Sequence, residues 1–578
     1  MTQVNRLAPQ LWSRWSPAWL QQYRREQAIQ DGIAGLVVTV LLVPQSLAYA
    51  MLAGLPPHVG MYASILPLVA YAAFGSSMAL AVGPVAVASL MTASALAPFA
   101  AQGSPEYLAL AILLAALGGL QLVVLGVMRL GFVANLLSHS VVSGFVTGSA
   151  LLIAIGQLKP LLGVPAHGQT AVELLLSLLA SVQALKPATA ALGLSAAVLL
   201  WGSRRFLAPL LARGGVAPRA ADLLAKLAPM VVVLLSLGAV AFWQLDTRHG
   251  VAVVGTIPQG LPSLQLAWPA REQVMSLFMP AFIIALVGFV ESVSVAQSLA
   301  IKRGHRIDPN AELRGLGAGN LASALSGGFP VTGGFSRSVV NFAAGAQTPM
   351  AGVISAALMS LVLLGLTGLF ERLPLAVLAA TIIVAVLGLI DLATPRHAWH
   401  YDRADALAWT GTALGVLGLG VEAGIAIGVA LSAGTFLWRA SRPHIAVLGR
   451  IPGTEHFRNE QRFQVETQPH LLIMRIDENL FFANSAAVLD RIEAELARRP
   501  ATRDLLLVLS SVSHIDLTAA EALERLRADL QARGVVLHLA EVKGPVLDRL
   551  KHAGRLRGLA HEPFVSVHSA TQTLGQHS

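Results

Sequence analysis

The stretch FPVTGGFSRS, residues 329–338, decides the fold. A proline and a Gly-Gly pair interrupt an apolar run there, and a hydroxyl and a fixed cation, Ser336 and Arg337, follow at once. Only about a dozen residues separate the break from Gln347, whereas a membrane-spanning helix needs about 20. A break of the same form, AVGPVA, lies at 81–86, with about thirteen apolar residues before Pro98. Irregular backbone at membrane depth survives only where it lines a cavity or is buried in protein. Paired interrupted segments in matching places of two halves mark an inverted-repeat transporter whose site lies near the midplane. A half-helix begun there presents open N–H groups and the positive end of its dipole, which together favour an anion. The competing view is a pair of ordinary kinked helices with Arg337 snorkelling to the surface. An Arg beside a Gly-Gly break is costly in lipid without a partner, which favours the site.

Outward from these breaks, apolar stretches lie near 33–53, 58–75, 80–97, 107–128, 132–157, 188–203, 227–243, 278–300, 312–327, 335–346, 350–369, 374–391, 405–419 and 421–438. That predicts fourteen spans, with the two breaks opening the third of each seven. The apolar stretch 171–185 reads as an amphipathic segment along the surface. Charge supports the division. Residues 1–443 hold 24 basic and 15 acidic residues, so 39 of 443 positions are charged; residues 444–578 hold 16 of each sign in 135 positions. A soluble globule as apolar as the first part would expose sticky surface, so lipid must solvate it and water the tail. The expected domains are an N-terminal segment at 1–32, a transport domain at 33–438 and a cytoplasmic domain at 444–578. The start, with Trp12, Arg14, Trp15, Trp19, Arg24 and Arg25 and no early apolar core, does not read as a cleavable signal. Arg204, Arg205, Arg213, Arg219 and Lys226 fall in one loop and Lys302, Arg303, Arg306 and Arg314 in another. Both loops share the side of the N-terminus, so the positive-inside rule puts both termini in the cytoplasm.

Several classes are excluded. The chain has no cysteine, so disulfides, thiolate metal sites and cysteine nucleophiles are ruled out. The net charge of +9 sits in short loops without a basic stripe, so nucleic acid is not the partner. No nucleophile–base pair or metal constellation can be assembled, and the chain reads as neither an enzyme nor a cofactor protein. Two further polar residues stand inside apolar spans. Glu291, within FIIALVGFVESVSVA, lies mid-span; intramembrane acids are rare and usually relay ions or protons, and pairing with Arg337 is the structural alternative. Gln45, within VPQSLAYA at 43–50, sits at a proline-broken turn and could equally hydrogen-bond a neighbouring helix.

The chain resembles the SulP anion permeases. The resemblance is carried by PQSLAYAMLAGLPPHVGMYAS (44–64), FGSSMALAVGPVAVASLM (74–91), LSHSVVSGFVTGSALLIAIGQLK (137–159), GFVESVSVAQSLA (288–300) and ELRGLGAGNLASALSGGFPVTGGFSRSVVN (312–341). It implies a mostly α-helical, seven-plus-seven inverted repeat. A core domain of spans 1–4 and 8–11 would carry the anion against a gate domain of spans 5–7 and 12–14. By the family's pattern Gln45, Tyr49, Val85, Ala86, Ser336 and Arg337 would surround the anion, and Glu291 would be the coupling acid of proton-driven members. Where the family usually carries a basic pair ahead of the third span, this chain has Met78-Ala79-Leu80.

In the tail the periodicity changes to alternating strands (470–476, 504–510, 535–541, 564–568) and amphipathic helices (485–499, 518–533, 545–553). This predicts a helix-backed sheet and resembles the STAS domain of SulP permeases, through LFFANSAAVLDRIE (480–493) and SSVSHIDLTAAEALERL (510–526). Thr518 occupies the place of the serine phosphorylated in related anti-anti-sigma proteins. It also reads as a helix N-cap, with Glu521 completing a capping box. His514 and His538 read as structural. The expected activity is secondary anion transport in the cell's inner (plasma) membrane, best read as proton-coupled sulfate symport by elevator-like movement. Dicarboxylate or bicarbonate/chloride transport, exchange and an anion channel are the alternatives. The expected partners are the anion, protons, the bilayer and a second copy, with the STAS domain contributing to a homodimer.

Overall fold

Each of the fourteen apolar stretches carries helix in the computed structural model, which describes residues 17–21, 23–135, 138–168, 170–264, 270–554 and 559–575. Trp12, Arg14 and Trp15 lie outside the described residues. Seven helices among those described are long and apolar enough to cross a membrane unaided; the other apolar helices are shorter or interrupted. The chain divides into two compact units, residues 1–432 and 433–578.

The first unit is helical. α1 (Arg25–Leu52), α2 (Pro57–Tyr62) and α3 (Leu66–Phe74) lead into a two-residue strand, β1 (Val82–Gly83), and then α4 (Ala86–Leu96) and α5 (Pro105–Val127). Next come α6 (His139–Leu162), α7 (Ala171–Ala180), α8 (Pro187–Gly202) and α9 (Pro218–Trp243). The second half runs through α10 (Arg271–Ile301), α11 (Pro309–Leu325), β2 (Thr332–Gly333), α12 (Phe335–Ala343), α13 (Met350–Gly365), α14 (Leu375–Leu387), α15 (Ala393–Tyr401), α16 (Arg403–Leu419) and the start of α17 (Val421–Ala440), whose residues from 433 on are counted with the second unit. Four details differ from the sequence reading. α1 begins at Arg25, ahead of the expected start at 33. It also runs unbroken through Pro44, so Gln45 and Tyr49, four apart, share one helix face. The helix after Pro187 continues through a π turn at 203–207 to Arg213, and α15 was not anticipated because its sequence, ATPRHAWHY, has no apolar periodicity.

Two groups of helices pack most closely within themselves, while α1 also meets α9 and α14, and α4 meets α6. α11 lies along α5 and α3, α10 along α5, and α13 along α1. α6 lies along α16 and α14, and α8 along α14. Lipid gives apolar faces no reason to associate, so membrane helices join through small residues that admit close backbone contact. α5 and α11 do so: a Cβ on Gly119 would lie 2.9 Å from the carbonyl oxygen of Gly317.

The second unit holds β3 (Ile445–Arg450), β4 (Phe457–Asn459), β5 (Leu471–Ile476), α18 (Ser485–Arg498), β6 (Asp504–Val508), α19 (Leu517–Ala532), β7 (Val536–Ala540), α20 (Gly544–His552) and α21 (Val567–Gly575). The sheet order is β4-β3-β5-β6-β7, parallel through β5, β6 and β7 and antiparallel at β3 and β4. β3 and β4 were not anticipated. The expected strand at 564–568 is absent: Phe564 makes a single bridge to Ala540, and His568 already belongs to α21. Thr518 is not the helix cap. Asp516 takes that place, with extended backbone and a carboxylate accepting the Ala519 N–H at 2.8 Å and the Phe482 N–H at 2.8 Å. One carboxylate satisfies both donors, which a hydroxyl two residues into the chain cannot reach; Thr518 is exposed.

Candidate anion-binding site

β1 and β2 pair antiparallel, Val82 with Gly333 and Gly83 with Thr332, and each hands the chain to a short helix, α4 or α12. The two sequence breaks therefore meet in space, as an inverted repeat requires. Neither helix start has a side-chain cap, so their first N–H groups remain open donors.

Buried polar side chains hold this crossing in place. Ser292 on α10 accepts the Gly333 N–H at 2.8 Å and lies 3.2 Å from the Thr332 hydroxyl. Asn320 on α11 brackets Val331, accepting its N–H at 2.9 Å and donating to its carbonyl at 2.8 Å. Ser338 accepts the Ala81 N–H at 3.0 Å, and Asn341 donates to the Ala79 carbonyl at 3.1 Å. Ahead of β1, the fully buried Glu312 accepts the Tyr71 hydroxyl at 2.8 Å and the Ser76 and Ser77 N–H groups, each at 2.9 Å. Extended backbone inside a membrane leaves donors and acceptors unmet along its length, and these side chains meet them.

A cavity of about 40 Å³ opens where the two helix starts face α1 and α14. Gln45, Tyr49, Val85, Ala86, Glu291, Ser336 and Arg337 all line it. Gln45 and Tyr49 come from α1, Glu291 from α10, and the rest from the crossing. Arg337 is 3% exposed, so it does not snorkel. Its Nη2 donates to the Pro84 carbonyl at 2.7 Å, while Nε and Nη1 have no hydrogen-bond partner. It forms no ion pair with Glu291, which is half-buried at the cavity wall. A buried guanidinium with open donors is costly unless a negative group completes it. Gln45 likewise makes no protein hydrogen bond among the described residues, which leaves its amide available to the cavity.

Pro84 anchors the guanidinium, and Gly83 leaves room for it: a Cβ there would lie 2.8 Å from Nη1. Gly83→Ala should displace one of the open donors and raise the KM for the transported anion by roughly tenfold, the size of one charge-assisted hydrogen bond. Uptake kinetics in proteoliposomes check this, with expression and thermal stability as controls.

The family model for the sulfate permeases matches residues 29–412, across both breaks. The chain belongs to the sulfate permease family. A STAS model matches residues 462–570. The chloroplastic sulfate transporter 4.1 of Arabidopsis thaliana is 34% identical, covering 97% of this chain and 82% of the relative. A probable sulfate transporter of Mycobacterium tuberculosis is 36% identical, covering 96% and 98%. The fold is that of the murine anion transporter Slc26a9, with a TM-score of 0.86 at 24% identity over 97% of this chain and 93% of that one. These relatives are transporters rather than enzymes, and the chain is a multi-pass membrane protein.

Sequence reading missed one wall of the cavity: Ala385, Val386 and Leu389, at and just beyond the end of α14. They lie in a uniformly apolar run that carries no chemical signal. It also missed the supports Ser292, Ser338, Asn320 and Asn341, although polar residues so close to a Gly/Pro break could have marked them.

Proposed function

We propose that this protein is a proton-coupled sulfate symporter. The observation that carries this reading is the buried Arg337, with two donor nitrogens open beside two uncapped helix starts. Sulfate stays dianionic at any physiological pH and so requires fixed positive charge, which Arg337 supplies. Its tetrahedral oxygens suit a guanidinium fork and backbone N–H groups converging from opposite sides. Glu291 is the proton carrier on the same wall.

The cavity favours a compact anion over an organic dicarboxylate: about 40 Å³ compares with roughly 10–15 Å³ for one water on the same measure. Transport proceeds by elevator-like movement, the α1–α5 and α10–α13 helices carrying the anion past the remaining helices. The tighter packing within each helix group than between the two supports this. The protein works in the plasma (inner) membrane with both termini in the cytoplasm, as a homodimer to which the STAS domain contributes contact.

Counterflow in proteoliposomes with sulfate, bicarbonate, chloride and fumarate tests the substrate. Sulfate should exchange and fumarate should not. Exchange of fumarate or bicarbonate in preference to sulfate would overturn the reading.

A further inference from the structure

One helix and the turn after it hold both ends of the nine-residue α12. Ser292 of α10 holds the strand that feeds its start. Arg303, two residues past the end of α10, holds the other end: Nη1 donates to the Ala346 carbonyl at 2.5 Å and Nη2 lies 3.4 Å from the Phe342 carbonyl. The guanidinium carbon stands 4.3 Å from the centre of the Phe342 ring. Phe342 is the next-to-last residue of α12, so a cation rests on the carbonyl end of the helix whose opposite end lines the cavity. Asp31 of α1, fully buried, binds the residues that follow, accepting the Gln347 N–H at 2.6 Å, the Thr348 N–H at 3.1 Å and the Thr348 hydroxyl at 2.6 Å.

We propose that Arg303 is a positioning residue that sets the anion affinity of the cavity through α12. The proposal rests on the cavity being the anion site. A helix carries partial positive charge at its start and partial negative charge at its end. Nine residues span about 13 Å, through protein and lipid where salt screens poorly. Arg303 offsets the negative end and so leaves the positive end to act on the anion. Without Arg303, the carbonyl end loses its cation and the Asp31 carboxylate keeps only its neutral donors, the Gln347 and Thr348 N–H groups and the Thr348 hydroxyl, so the potential in the cavity falls. Coulomb energy scales with ligand charge, so an affinity loss of about threefold for a monoanion becomes about ninefold for a dianion.

The test uses the full-length protein in proteoliposomes, with the KM and Vmax for sulfate and the inhibition constant of nitrate as competitor. Arg303→Met keeps an apolar stem against Phe342 but removes the charge. It should raise the sulfate KM about ninefold and the nitrate constant about threefold, with Vmax unchanged. Arg303→Lys should stay within about twofold of wild type because the charge remains. Asp31→Asn should shift the sulfate KM the other way, downward. Equal shifts for sulfate and nitrate, or a loss of Vmax at unchanged KM, would make Arg303 purely structural and overturn the proposal. If Arg303→Met does not fold, Asp31→Asn decides, and an unchanged or raised sulfate KM overturns it. Failure of the underlying reading looks different: Arg337→Ala would then keep full uptake, whatever Arg303 does.

Discussion

Arg337→Ala should abolish sulfate uptake, by about a hundredfold or more, while the protein still inserts and keeps its thermal stability. The magnitude follows from removing the charged partner of a buried anion, which costs about 3–5 kcal/mol. The stability expectation comes from the same geometry. Without an anion, Arg337 is a buried cation with Nε and Nη1 unpartnered and no carboxylate in contact. Such a group burdens the fold rather than supporting it, so its loss should leave the melting temperature equal or higher. A structural arginine would behave in the opposite way, with melting temperature and uptake falling together. Arg337→Lys should recover only part of the activity, since an ammonium is a point charge without the planar fork. Uptake of labelled sulfate and a melting curve on the same preparations check both halves.

The second large effect concerns coupling. Glu291 and Arg337 line one cavity without pairing. An ionised Glu291 offers Arg337 and the two helix starts a competing negative charge. A neutral Glu291 leaves their positive field to the anion. Proton and sulfate then favour each other's binding, and by linkage each raises the other's affinity by the same factor. The sign of the expected effect follows: wild-type uptake should rise as external pH falls. Glu291→Gln stands in for the protonated acid, so it should keep sulfate exchange, lose the pH dependence and fail to concentrate sulfate when only a proton gradient is imposed. Vesicles of this variant that still accumulate sulfate on a pH difference alone would reduce Glu291 to a structural role.

What could be read from the chain divides along physical lines. The helices were legible because lipid demands long apolar runs, and the two interrupted runs were legible because glycine and proline beside Arg337 have few other reasons to stand there. Gln45 and Tyr49 were legible through family motifs, and the continuous α1 explains why they line the cavity from one helix face. The wall made by Ala385, Val386 and Leu389 was hidden, since apolar side chains in an apolar run look alike whether they face lipid or a cavity. The grip of Arg303 on the far end of α12 was hidden as well. In sequence it is one of several basic residues in a loop, and only the fold lays it on the Phe342 and Ala346 carbonyls. In the tail, the strand expected at 564–568 failed because a few apolar residues ahead of a short helix mimic an edge strand. The cap expected at Thr518 failed because Asp516, two residues earlier, serves two donors at once.

The claim on which everything else depends is that sulfate binds beside Arg337 between two helix starts. Calorimetric titration of sulfate into the purified wild-type protein and into Arg337→Ala tests it most directly, because it separates binding from transport and coupling. Saturable heat in the wild type and none in the variant is the predicted result. Equal affinity in the two proteins would contradict the account.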